Sequence, residues 1–385
     1  MSTTRRHLLH TALLTSVAAP LAAFTRLSIA AAPTGAGPQR FVLLILRGGM
    51  DGLAAVPALG DPAFAEARAG LGQFVGEPLA LDGTFALNPL LPHMHQLYRQ
   101  GELAVLHATG LPYRERSHFD AQQVLESGGV RPYELGTGWL ARALGSASAG
   151  PGTLKAVALE TAVPLVLRGP HEVDSWAPSV LPEPSMDLVA RLELLYRADP
   201  GLAQALARAR GLRVEPGMAS NMSAVPGATA PAGRTAAVAL ARKAADFLQR
   251  GSHVAVMELG GWDSHVNQAA PNGALSNNLR TLDAMLQALR DGLSTGQADI
   301  WRHTAVLVAT EFGREVAING NQGTDHGTGG AAFVLGGAVR GGRVLTDWPG
   351  LAKKDRFEGR DLRTTTDLRG ALRTLLGDHL RVPRS

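Results

Sequence analysis

No cysteine occurs anywhere in the 385 residues. Disulfides and thiolate metal sites are therefore excluded, so any metal must be held by histidines and carboxylates. The absence does not assign a compartment, because an exported protein with a large enough core needs no disulfide. Aromatic residues make up only 5% of the chain, which leaves the core to aliphatic packing. There is no internal repeat, no G-x-S-x-G nucleophile elbow and no P-loop, so the strongest signals for those chemistries are missing.

Long apolar runs are also scarce. The N-terminal run Leu8 to Phe24 is interrupted by His10, Thr11 and Pro20 and followed by Arg26, which weakens a transmembrane reading. With Arg5 and Arg6 before it and Ala30, Ala31 and Ala32 after it, the segment reads as a twin-arginine export signal over residues 1–32, cleaved near Ala32. The expected product is periplasmic or secreted, partnered by the Tat translocon during export and without a stable membrane anchor after cleavage. Formal charge falls from +4 to +1 as Arg5, Arg6 and Arg26 leave with the leader. A nearly neutral protein has no electrostatic basis for binding nucleic acid.

What is present is a chain long and apolar enough, at 45% hydrophobic residues, to bury a large α/β core. Residues 33–40 form a Pro/Gly linker, and 41–385 read as one domain. The runs 41–46, 103–107, 253–259, 304–310 and 331–335 are short and almost wholly apolar, the signature of strands buried on both faces of a mostly parallel sheet. Residues 155–160 and 164–167 resemble two further strands, read as a hairpin. Helical patterns cover 89–99, 186–209, 242–250, 274–294 and 366–376. Residues 212–234, rich in Pro, Gly, Ala and Ser, read as a mobile surface loop or a cap insertion.

Open α/β sheets place their sites beyond the carboxyl ends of the strands. Four expected strand ends carry acids or Asp/His pairs: Asp51 after Gly48-Gly49, Asp263 with His265, Glu311, and Asp325-His326. Residues two apart in an extended segment share a side, so Asp263 and His265 can reach one ion, with a donor set suited to zinc or manganese. The plainer alternative at Asp51 and at Asp263 is an acid capping a turn or a helix. Ser117-His118-Phe119-Asp120 fits a capping box, or else places a hydroxyl nucleophile at a helix N-terminus, with Arg114 and Arg116 able to bind an anion in the same loop. His93, His95 and His107 read as surface or packing residues.

The motifs LRGGMDGL, RSHFDAQ, GGWDSH, TEFGRE and TDHGTGG, behind a twin-arginine leader, resemble a bacterial family labelled as domain of unknown function number fifteen hundred and one. That family is considered similar to alkaline phosphatases and sulfatases. The resemblance implies a three-layer α/β/α sandwich with one or two divalent ions (zinc, manganese or calcium). It makes Asp51, Asp263, His265, Glu311, Asp325 and His326 metal ligands, Ser117 the nucleophile, and Arg116, His118 and Arg314 substrate contacts. Glu311-Phe312 replaces the Asp-His expected after that strand, removing one imidazole. The implied function is hydrolysis of a phosphate or sulfate ester, small or polymer-borne. The alternative is a degenerate relative with a binding or scaffolding role in the cell envelope.

Overall fold

The computed structural model describes residues 37–147, 154–178, 184–212, 233–295 and 299–382. The expected leader (1–32) and most of the 212–234 loop lie outside the described residues. Nine strands form the main sheet: β1 (Arg40–Leu46), β4 (Leu103–Gly110), β5 (Ala156–Ala158), β6 (Val173–Ser175), β7 (Val254–Leu259), β8 (Thr304–Thr310), β9 (Gly330–Leu335), β10 (Arg343–Leu345) and β11 (Thr366–Asp367). β2 (Leu79–Ala80) and β3 (Ala86–Leu87) pair separately as a short antiparallel ribbon. The main order is β10-β4-β9-β8-β1-β7-β5-β6, with β11 also beside β4. Within the main sheet every pairing is parallel except the two made by β9.

Alternation along β1 shows why the sheet is the middle of three layers. Val42, Leu44 and Leu46 enter one apolar cluster, with the helices Pro92–Arg99, Arg234–Gln249 and Ala274–Ser294. Phe41, Leu43 and Ile45 enter a second cluster, with the helices His118–Ser127, Trp139–Ala147 and Leu368–Thr374. A strand covered on both faces has no polar side to show, which is why it reads as a continuous apolar run. Each fully buried aliphatic side chain contributes about 1.5–3 kcal/mol.

Three local expectations change. Leu165–Leu167 is a 3-10 turn rather than a strand; Pro164 caps it, and the partner of β5 is β6, paired in parallel. A crossover therefore replaces the hairpin. The expected helix over 186–209 is two helices, Met186–Tyr196 and Pro200–Leu212, because Pro200 lacks the N–H that continuation would need. In the last segment only Leu368–Thr374 is α-helical, followed by a π-turn. Among the described residues, no helix is long and apolar enough to cross a membrane.

Register fixes the working edge of the sheet. Leu46 lies opposite both Leu259 and Thr310, so the segments leaving β1, β7 and β8 emerge at one level. β9 runs the other way, and the loop that feeds Gly330 arrives at that same edge.

Candidate metal centre

Four segments meet at this edge. Residues 111–117 lead from β4 into His118; Asp263 and His265 follow β7; Glu311 follows β8; Asp325 and His326 precede β9. Two glycines allow the last two segments to touch. A Cβ on Gly313 would lie 1.8 Å from the Gly329 carbonyl oxygen, and one on Gly327 would lie 2.4 Å from the carbonyl carbon of Arg314. The contact is closed by backbone bonds from Gly327 to Gly313 and from Glu315 to Asp325 (2.9 and 2.8 Å).

Three imidazoles converge here through the same ring atom. His326 Nε2 lies 3.1 Å from His118 Nε2, 3.1 Å from His265 Nε2 and 3.1 Å from Asp263 Oδ1. Asp263 Oδ1 is also 2.9 Å from His265 Nε2, and its Oδ2 is 3.4 Å from His118 Nε2. The opposite ring nitrogen of each histidine faces an oxygen acceptor. His118 Nδ1 meets Glu311 Oε1 at 2.8 Å, His265 Nδ1 meets Asp325 Oδ1 at 3.1 Å, and His326 Nδ1 meets the Arg116 carbonyl at 3.0 Å. A neutral imidazole carries one proton, and these acceptors draw it to Nδ1 in all three rings. Three Nε2 lone pairs and a carboxylate are thereby aimed at one another. That excess of acceptors is what a cation relieves, and carboxylate or carbonyl support behind each ligating histidine is the usual outer shell of a metal. Among the described residues, His118, Asp263 and His326 form the one group with metal-binding geometry, and His265 stands beside them.

The surrounding charges tune these groups. Burial pushes the Asp263 carboxyl up, but the Arg314 hydrogen bond and charge outweigh it and bring it down to about 2. The Glu311 hydrogen bond raises His118 despite partial burial, whereas burial lowers His326. Glu311 is itself buried, yet bonds from His118, Gln122 and the Gly48 amide keep its carboxyl low.

The remaining sequence candidates have other positions. Glu311 spends Oε1 on Gly48 N, His118 Nδ1 and Gln122 Nε2, so it orients His118 from behind. Asp325 likewise backs His265, and is itself held by Asn319 at 3.0 Å. Arg116 turns its guanidinium away onto Asp361 and Glu358, with φ at +60°, and offers the cluster only its carbonyl. Arg314 is buried, donating to Asp263 at 2.6 Å and to Thr324. Asp51 is set apart: Oδ1 accepts from Leu53 N and Ala54 N, and Oδ2 from Arg68 and Gln268. Ser117 occupies the N-cap position, but its hydroxyl does not bond the helix amides, so the capping box does not form. In the same loop the Tyr113 hydroxyl donates to Asp120 at 3.1 Å.

The family model described as "Protein of unknown function (DUF1501)" matches residues 50–374. The chain belongs to that family. No curated protein matches it. Among solved structures it is similar to a 2-O GAG sulfatase, at 10% identity and a TM-score of 0.43, covering 91% of this chain and 72% of that one. It is also similar to a protein in the alkaline phosphatase superfamily from Vibrio parahaemolyticus, at 12% identity and 0.40, covering 82% and 64%. A third is the phosphonate monoester hydrolase of Agrobacterium radiobacter, at 12% identity and 0.34, covering 82% and 72%.

Sequence reasoning missed Gln122, Arg68 and Gln268. Gln122 had a signal: it lies four residues after His118, on the same helix face. Arg68 and Gln268 had none, since each is defined by a contact with Asp51, 17 and 217 residues away.

Arg314 is expected to carry stability as well as geometry. Arg314→Met removes its bonds to Asp263 and Thr324 while keeping much of the volume, and should cost about 2–3 kcal/mol by urea unfolding. The figure sits below the full cost of breaking a buried pair because Asp263 is 43% exposed. An unchanged midpoint and slope would mean the guanidinium is not holding this edge together.

A second charged group lies at the same edge. Arg47 donates to Glu258 and Glu126, and Glu126 accepts from the Val166 amide at 3.0 Å. Burial, then the charge and hydrogen bond of Glu258, push the Glu160 carboxyl up to about 8. The folded state therefore keeps a proton that the unfolded chain gives up near pH 4.5. Stability from that proton is complete below the unfolded value and is lost as pH rises through about 8. Glu160→Gln should match wild type near pH 4, gain on it steadily through neutrality and level off above pH 8, as read from Tm across pH. A constant difference at all pH values would show that Glu160 ionises normally.

Proposed function

We propose that the chain is an exported, metal-dependent hydrolase of phosphate or sulfate esters, delivered to the periplasm or the exterior by its twin-arginine leader. One observation carries the reading: three Nε2 lone pairs and the Asp263 carboxylate converge, and each imidazole has its other nitrogen fixed by an oxygen. The donor set fits zinc, and also manganese; calcium prefers more oxygen ligands than this cluster offers. His118, Asp263 and His326 would hold the ion, with His265 as the fourth candidate. The chemistry supplied there would be acidification of the attacking oxygen and neutralisation of charge on the ester. Glu311, Asp325 and the Arg116 carbonyl hold the rings in place, so less reorganisation is left for the moment of reaction.

The substrate is an anionic ester, free or carried on a polymer. A non-catalytic binding role in the envelope is the second reading. It is favoured by the commitment of two of the three candidate anion-binding arginines, Arg116 and Arg314, to protein carboxylates, while Arg114 donates to the Leu111 carbonyl. Zinc-loaded full chain should hydrolyse at least one nitrophenyl phosphate, phosphonate or sulfate. The activity should disappear with chelator and return with zinc alone. Stoichiometric zinc with no turnover on any of these esters would favour the binding role.

A further inference from the structure

The Asp51 carboxylate presents four lone-pair sites and meets four donors: two helix amides on Oδ1 (3.0 and 3.1 Å), and Arg68 Nη2 (2.6 Å) and Gln268 Nε2 on Oδ2. Both Asp51 and Arg68 are buried, and Arg68 also donates to the Val316 carbonyl at 2.9 Å. The pair is wired to the histidine cluster. Gln268 Oε1 accepts from the Thr324 hydroxyl at 2.7 Å, Thr324 Oγ1 accepts from Arg314 Nε at 3.1 Å, and Arg314 Nη1 donates to Asp263 at 2.6 Å. Donors and acceptors alternate consistently, with an arginine–carboxylate pair at each end. Gln268 and Thr324, which join them, are themselves buried.

An ion cannot ligate Asp51 while all four donors remain, so the two-ion arrangement that the family resemblance allows does not fit these residues. We infer that Arg68 stands in place of a second cation: the protein is built for one divalent ion, and the charge of Asp51 is balanced permanently from within. The fixed pairs at Asp51 and Asp263 hold the sheet edge in one arrangement with or without an ion. A single exchangeable charge is then left, between His118, Asp263 and His326. The inference rests on the metal reading above, and the two fail differently.

The test is zinc stoichiometry by calorimetry on chelator-stripped full chain, with elemental analysis after desalting. Wild type is expected to bind one equivalent, and Asp51→Asn also one. Arg68→Met strands a buried carboxylate, so without metal its Tm should fall by roughly 5–10 °C. Adding Asp51→Asn to Arg68→Met should recover much of that loss, because the stranded charge goes with it. Arg68→Lys, which keeps a cation beside Asp51, should bind one. Two equivalents in wild type, with the second lost in Asp51→Asn, would overturn the inference and leave the metal reading standing. An Arg68→Met variant that melts with wild type, and whose Tm Asp51→Asn does not move, would also overturn it. No zinc in wild type would overturn both. If Arg68→Met does not fold, wild type, Asp51→Asn and Arg68→Lys still decide the matter.

Discussion

His326→Ala is expected to weaken zinc binding by roughly a hundred- to a thousand-fold, the share of one ligand in a site worth about 10–16 kcal/mol in total. Ester turnover should be lost with it. His326 is the hub of the cluster, since its Nε2 touches His118, His265 and Asp263. The ring is partly exposed, and its Nδ1 partner is a backbone carbonyl, so truncation strands no buried charge. The variant should therefore melt close to wild type in the absence of zinc, which separates loss of a ligand from loss of the fold. Competition against a chromophoric chelator reads the affinity. An affinity within a few-fold of wild type would place the ion elsewhere.

Ser117→Ala is the second large effect. The serine opens the helix that carries His118, so its hydroxyl belongs to the loop that enters the cluster, and it is not consumed as a cap. If it is the attacking group, kcat should fall at least about a thousand-fold, as removal of a nucleophile does elsewhere, with zinc stoichiometry unchanged. Single-turnover kinetics would also lose any covalent burst. Full activity in the alanine variant would assign the attack to water, and Ser117 would keep only its place at the helix start. Either result leaves the ligand set intact, because no ligand is altered.

The strands were readable because burial on both faces turns each into an apolar run, as in β1, β7 and β8. The relation of β5 to its neighbour was not, since a short apolar stretch such as Leu165–Leu167 satisfies a strand or a turn equally until the sheet exists. Proline settled the helix break at Pro200, a signal that was legible but underweighted. At the site, the Asp/His pairs drew attention because strand ends collect chemistry. Glu311 and Asp325 look like ligands in one dimension, and in three each carboxylate meets the Nδ1 of a cluster histidine. His118 showed the reverse, sitting inside a capping pattern while its ring joins the cluster. Asp51 has surroundings that the sequence does not show. Its partners Arg68 and Gln268 carry no motif, and only folding brings them to it.

X-ray absorption at the zinc edge on the loaded full chain tests the central claim most directly, because it counts and identifies the atoms bound to the ion without needing a substrate. The expected spectrum is fitted by three imidazole nitrogens and one carboxylate oxygen at about 2.0–2.2 Å, with one imidazole missing in His326→Ala. A first shell of oxygens without the imidazole multiple-scattering pattern would contradict it. So would a spectrum unchanged by the His326 substitution.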